Sequence, residues 1–143
     1  MADREALARV AIDCGVQVHR DLGPGLLESV YEVILAAMIA ERGFTVQRQK
    51  PIDINYRGHS FRDAFRIDLL VENNLVMEVK SIERCGPVHV KQLLTYLRLT
   101  DQPLGLLMNF GAAIYREGLK RVVNNHSDFG SSHLRVHQPD QLS

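Results

Sequence analysis

Apolar side chains recur at helical spacing at Leu7, Val10, Ala11, Cys14 and Val18, which predicts a first helix over residues 4 to 20. Asp3 stands where an N-cap is wanted, and Gly23 and Pro24 stop the helix. A second helix, from just after Gly25 to about Arg42, is apolar nearly all round (Leu27, Val30, Val33, Ile34, Ala37, Met38) and is expected to be largely buried. Two strands follow, Thr45 to Gln49 and Ile52 to Tyr56, with Pro51 marking a bend between them. Arg57-Gly58 makes a turn, and Ser60 to Phe65 runs into the strand that holds Asp68. Gly86-Pro87 breaks the chain before a third helix, Val88 to about Leu99, with Val90, Leu93, Leu94 and Leu97 on its apolar face. The continuously apolar run Leu104 to Asn109 is that of a strand covered on both sides. A short turn or helix at Tyr115 to Leu119 leads to a last strand, Lys120 to Asn124. From Ser127 the apolar pattern fades, so a domain over residues 1–125 and a poorly ordered tail over 126–143 are expected. The order is that of an α/β (α+β) domain, a mixed sheet flanked by helices, two of them N-terminal.

The stretch Arg66 to Lys80, RIDLLVENNLVMEVK, reads as a β-hairpin, and its loop length decides which side chains meet. A two-residue turn at Asn73-Asn74 would pair Asp68 with Val79 and point it away from Glu78, because side chains alternate faces. A three-residue loop, Glu72-Asn73-Asn74, sets Asp68 opposite Glu78 and asks Asn74 to take the left-handed position. In that register Ile67, Leu69, Val71, Leu75, Met77 and Val79 share one face, and Arg66, Asp68, Leu70, Val76, Glu78 and Lys80 the other. The apolar pattern therefore selects the three-residue loop.

Composition changes this picture little. A chain of 143 residues, 45% apolar and 24% charged, fits one soluble globular domain. Net charge is zero, so no global basic field points to a polyanion. Locally, Arg42, Arg48, Lys50, Arg57, Arg62 and Arg66 outnumber Asp53 and Asp63, a strip that would suit a polyanion and is equally that of a solvated hairpin. The two cysteines, Cys14 and Cys85, have neither disulfide-framework nor zinc spacing, and Cys14 falls on an apolar helix face. No run is long enough to span a membrane and the N-terminus lacks the order of a signal peptide, so a soluble, cytoplasmic protein is expected.

Two facing carboxylates, Asp68 and Glu78, could hold a divalent cation through hard oxygen ligands, magnesium or manganese. Lys80, two residues on, could position a water or stabilise charge on a phosphate oxygen. By itself Glu78-Val79-Lys80 is also what a surface salt bridge on an edge strand looks like. Three further places carry polar groups where a core element would not want them. Glu28, Tyr31 and Glu32 share one face of the apolar second helix, although Glu28 could simply favour the helix dipole. Gln49 sits where a strand could aim its amide at the carboxylates. His89, Gln92 and Tyr96 flank the apolar stripe of the third helix on one side.

Read together, Gly25-Leu26-Leu27-Glu28-Ser29-Val30-Tyr31, Arg42-Gly43, Gln49, Asp68, Glu78-Val79-Lys80 and His89-x-x-Gln92-x-x-x-Tyr96 resemble, from residue 5 to 125, the GxxExxY protein family within the PD-(D/E)XK nuclease superfamily. Ile67 stands where that superfamily commonly has proline. The resemblance implies a restriction-endonuclease-like core and hydrolysis of phosphodiester bonds in nucleic acid, DNA foremost. It implies a metal held by Asp68, Glu78, the carbonyl of Val79 and Glu28, with Lys80 assisting the attacking water. It places Gln92 and Tyr96 against substrate phosphate, with Tyr31, Gln49 and His89 at further pattern positions. The alternative it leaves is a nucleic-acid-binding or regulatory module of little or no turnover on the same fold. A neutral monomer would bind phosphates weakly, so a homo-oligomer or a protein partner is also expected.

Overall fold

The computed structural model describes residues 3–125 and the backbone of residues 134–137. Helix α1 (Arg4–Leu22) begins at Asp3, whose carboxylate accepts the Glu5 amide, and ends at Gly23, whose positive φ of 73° lets its N–H turn back to His19 O. Helix α2 (Glu28–Glu41) packs beside it. The chain then forms β1 (Val46–Tyr56), β2 (His59–Val71), β3 (Leu75–Lys80), α3 (Pro87–Leu99), β4 (Leu104–Asn109), the single turn α4 (Tyr115–Gly118), β5 (Leu119–Val123) and β6 (Leu134–His137).

These strands make one mixed sheet in the order β5-β4-β3-β2-β1-β6. Only β3 and β4 run parallel, which is what a crossover through α3 produces; every other neighbouring pair is antiparallel. The mixed α/β architecture expected for a restriction-endonuclease-like core is the one observed. Helices α1 and α2 cover one face, where Leu7, Ala11, Cys14, Leu35 and Ile39 pack against Leu69, Leu75, Met77 and Met108. Helix α3 covers the other, where Leu93 and Leu97 meet Ile67, Leu70, Val76 and Leu107. Being covered on both sides, β4 is buried at every position, as its unbroken apolar run predicts. Beyond β3 the two parallel strands stay clamped: Phe110 N–H donates to Lys80 O, and Asn109 Oδ1 accepts the amides of Ile82 and Gly111.

The hairpin register is the expected one, with Leu69 opposite Met77, Leu70 opposite Val76 and Val71 opposite Leu75 across a loop of Glu72, Asn73 and Asn74. The left-handed residues are Glu72 (φ 54°) and Asn73 (φ 51°) rather than Asn74. Asn74 N–H closes the turn onto Val71 O at 2.9 Å, so positive φ falls on the two central residues, as a mirror-image hairpin turn requires.

Two further expectations are corrected. The segments on either side of Pro51 form one continuous strand, with Pro51 paired opposite Arg66; the irregularities are a left-handed Gln49 (φ 53°) and a register shift between Ile52 and Ile54. Ile67 packs on the α3 face with Leu70 and Val76 instead of sharing the α1–α2 face with Leu69. Opposite Asp68 the β1 backbone is left-handed at Gln49, and strict alternation fails across that one step. Most of the expected tail lies outside the described residues, but Leu134–His137 forms β6 and pairs with Asp53–Tyr56 of β1.

Candidate active site

The site lies where β2 and β3 part. Their ladder covers Leu69–Val71 and Leu75–Met77, and at the next pair two carboxylates take over from the backbone. Glu78 Oε2 accepts the Asp68 N–H at 3.0 Å, and Asp68 Oδ2 accepts the Val79 N–H at 2.9 Å. Each side chain thus satisfies a backbone donor of the opposite strand that the separating ladder has released. On its other side β3 is held by β4, with Glu78 opposite Leu107 and Lys80 opposite Asn109, so the pair stands on a rigid parallel edge.

Gln49 completes the frame. Its left-handed backbone turns its amide toward the fork, where Nε2 donates to Asp68 Oδ1 at 3.2 Å and to Glu32 Oε1 at 2.9 Å. Glu32 is buried on α2 and is also bound by Arg48, whose Nε and terminal nitrogen lie 3.1 and 3.0 Å from Oε2. The helix-borne carboxylate that faces Asp68 is therefore Glu32. Glu28, one turn earlier, is exposed and makes no hydrogen bond or ion pair among the described residues; its charge is felt by Cys85. The signal for Glu32 was present in the sequence as a charged residue on an otherwise apolar helix.

The electrostatics of the cluster are those of a site short of positive charge. Glu78 is only 4% exposed, and burial, followed by the Asp68 charge, pushes its carboxyl up to about 8. The bond from the Asp68 amide and the Lys80 ammonium oppose that shift without cancelling it. Burial and then Asp68 also raise Glu32, against Gln49 and Arg48. Tyr96 is raised by burial and then by the charges of Glu78 and Asp68. Its ring stacks on Phe65, centroids 4.2 Å apart and planes 9° from parallel.

Among the described residues no group of three or more His, Cys, Asp or Glu side chains forms a ready-made metal cage. Magnesium does not need one, because one or two carboxylates suffice when waters and substrate phosphate complete its octahedron. Asp68 and Glu78 are such a pair, and Glu78 Oε1 is a buried oxygen with no hydrogen bond among the described residues. The donor set fits a hard divalent cation.

The other expected site residues divide. Gln92 is exposed on α3, one turn before Tyr96, and makes no hydrogen bond among the described residues. His89 is occupied locally, its ring Nδ1 accepting the Gly86 N–H at the start of α3. Tyr31 lies in the core, stacked on Phe110 with centroids 4.6 Å apart, and its hydroxyl joins Gly23 O to Leu26 N–H. Beyond Lys80 a cleft of about 460 Å³, lined in part by Arg84, Cys85, Asn109, Glu117 and Lys120, opens past the ends of β3 and β4. No helix among the described residues is long and apolar enough to cross a membrane.

Residues 5–122 match a family profile described as the PD-(D/E)XK nuclease superfamily. No curated protein and no solved structure matches the chain.

Proposed function

The chain belongs to the PD-(D/E)XK nuclease superfamily, and on that premise we propose that it is a divalent-metal-dependent nuclease that cuts DNA at the fork between β2 and β3. The observation that carries this reading is the reciprocal bracing of Asp68 and Glu78, two carboxylates packed together with too little compensating charge. Retaining such a pair costs stability unless something binds it. Asp68 and Glu78, with the carbonyl of Val79, would hold magnesium or manganese, which lowers the pKa of a bound water and polarises the phosphate.

The chain's own residues do the rest. Gln49 ties Asp68 to Glu32 and keeps its free rotation from scattering the ligand geometry. Glu32 takes the helix-borne position, and Arg48 offsets its charge. Lys80, next on β3 and close enough to act on Glu78, offers an ammonium to the charge that grows on the phosphoryl oxygens. Tyr96, whose hydroxyl feels the Glu78 and Asp68 charges, would offer a hydrogen bond to substrate phosphate, and Gln92, exposed one turn earlier on α3, a second. Water adds to phosphorus, the bond to the 3′-oxygen breaks, and that oxygen leaves with a proton, giving a 5′-phosphate and a 3′-hydroxyl.

The test is incubation of end-labelled DNA and RNA, single- and double-stranded, with the wild type, Asp68→Asn and Glu78→Gln, with magnesium and with chelator. Magnesium-dependent cleavage absent from both variants is expected. Wild-type protein that cuts none of the four substrates, or variants that cut as well as it does, would contradict the proposal.

A further inference from the structure

The outer half of the β1–β2 hairpin, edged by β6 along Asp53–Tyr56, keeps aromatic residues in solvent. Tyr56 is 40% and Phe61 53% exposed. The register sets Tyr56 opposite His59 and Ile54 opposite Phe61, so these four side chains share one face of the arm. One cation adjoins that face and a second flanks it. Arg57 lies over the Tyr56 ring, 5.9 Å from its centroid, while Arg62, next after Phe61 on β2, belongs by strand alternation to the opposite face of the arm. Neither has a carboxylate partner among the described residues, whereas Arg42, Arg48, Arg66 and Arg121 are all paired.

The turn itself is informative. Tyr56 and His59 close a two-residue hairpin on Arg57 (φ 51°) and Gly58 (φ 83°), a turn whose first central position favours Asn, Asp or Gly. Arginine there is held in a left-handed conformation that costs free energy. Inward along β2 comes Phe65, stacked on Tyr96 beside the carboxylates. Since β3 pairs only with Leu69–Val71, the β3-side edge of β2 is free of β3 along this whole stretch.

Resting on the nuclease reading, we propose that this arm is a track for single-stranded nucleic acid: bases stack on Tyr56 and Phe61, Arg57 on that face and Arg62, reaching round the open edge of β2 from the other, neutralise the backbone, and the strand runs inward past Phe65 and Tyr96 to the fork. From Phe61 to Asp68 the strand, less the residues taken up by the register shift opposite Asp53, covers roughly 15 Å at about 3.3 Å per residue, room for two or three nucleotides. Exposed aromatics alternating with unpaired cations suit separated bases, whose faces are free, better than a duplex, whose bases are stacked on each other.

Fluorescence anisotropy of labelled oligothymidylate, oligouridylate and a duplex, in chelator so that nothing is cut, tests this. Single strands are expected to bind more tightly than duplex, the better of the two identifying DNA or RNA as the guest. Phe61→Ala should weaken binding roughly tenfold, and Arg57→Ala with Arg62→Ala should flatten the salt dependence by about 0.7 for each cation removed. Arg57→Asn guards against a folding artefact: Asn suits the turn, so this variant should melt higher and yet bind more weakly. Tighter binding to duplex, no binding to either single strand, or arm variants that bind as the wild type does would overturn the proposal. Because binding is read without cleavage, the two readings fail separately. A protein that holds single strands through the arm but cuts nothing loses only the nuclease reading, and one that cuts with an indifferent arm loses only this one.

Discussion

Asp68 and Glu78 each accept a backbone amide from the other's strand, Asp68 from Val79 at 2.9 Å and Glu78 from Asp68 at 3.0 Å. This exchange holds two like charges together at the one point where β2 and β3 separate, so folding and charge repulsion are set against each other there. Measurable consequences follow from that opposition.

Stability of the metal-free protein should fall as pH rises. Glu78 in the folded chain is pushed up to about 8 from 4.5, so between those values the native state holds more protons than the unfolded one. Its penalty is absent below pH 4.5 and complete above pH 8, and Glu32, raised in the same direction, adds to it. Thermal melts across this range should show Tm falling with pH, and falling less when magnesium is present. Glu78→Gln keeps an oxygen for the Asp68 amide and removes the charge; above pH 8 it should be more stable than wild type by roughly 1–4 kcal/mol. A variant less stable than wild type at that pH would contradict the charge assignment.

Lys80→Ala should separate chemistry from metal binding. Its ammonium is one of the influences that lower Glu78, and it is assigned to charge on the phosphate rather than to the cation. Cleavage is expected to drop about 10²–10³-fold with magnesium affinity retained. Loss of both together would place Lys80 in the architecture of the metal site instead.

Gln49→Gly exchanges two effects. It relieves a left-handed backbone at a non-glycine residue, worth roughly 1 kcal/mol, and it removes the amide that joins Glu32 to Asp68. Stability should change little while turnover falls about 10–100-fold. Wild-type turnover in this variant would show that Asp68 needs no such tie.

Tyr31→Phe should act on folding alone. The hydroxyl bridges Gly23 O and Leu26 N–H across the α1–α2 connection, and the ring packs on Phe110. Its loss should cost about 1–2 kcal/mol by denaturant melt and leave KM for nucleic acid unchanged. A raised KM with unchanged stability would return Tyr31 to the substrate.

Much of this site was legible in the chain because the hairpin's apolar residues alternate cleanly. Leu69, Val71, Leu75, Met77 and Val79 could share a buried face in one register only, and that register sets Asp68 opposite Glu78. What was not legible depends on backbone turns that no side-chain pattern announces. The left-handed Gln49 lies inside a strand, where nothing in its neighbours asks for positive φ, and across the ladder from it Ile67 packs on the other face from Leu69. That Glu32 and not Glu28 reaches Gln49 beside Asp68 depends on how far along α2 the fork falls, a tertiary distance. The turn placed positive φ on Glu72 and Asn73 because hairpin twist, more than the preference of Asn, decides which positions turn over.

The most direct test of the account is calorimetric titration of magnesium into the wild type, Asp68→Asn and Glu78→Gln at neutral pH. The account predicts saturable binding by the wild type and its loss in both variants, each still folded by circular dichroism. A wild type that takes up no cation, or variants that bind it equally well, would contradict a metal site built on Asp68 and Glu78.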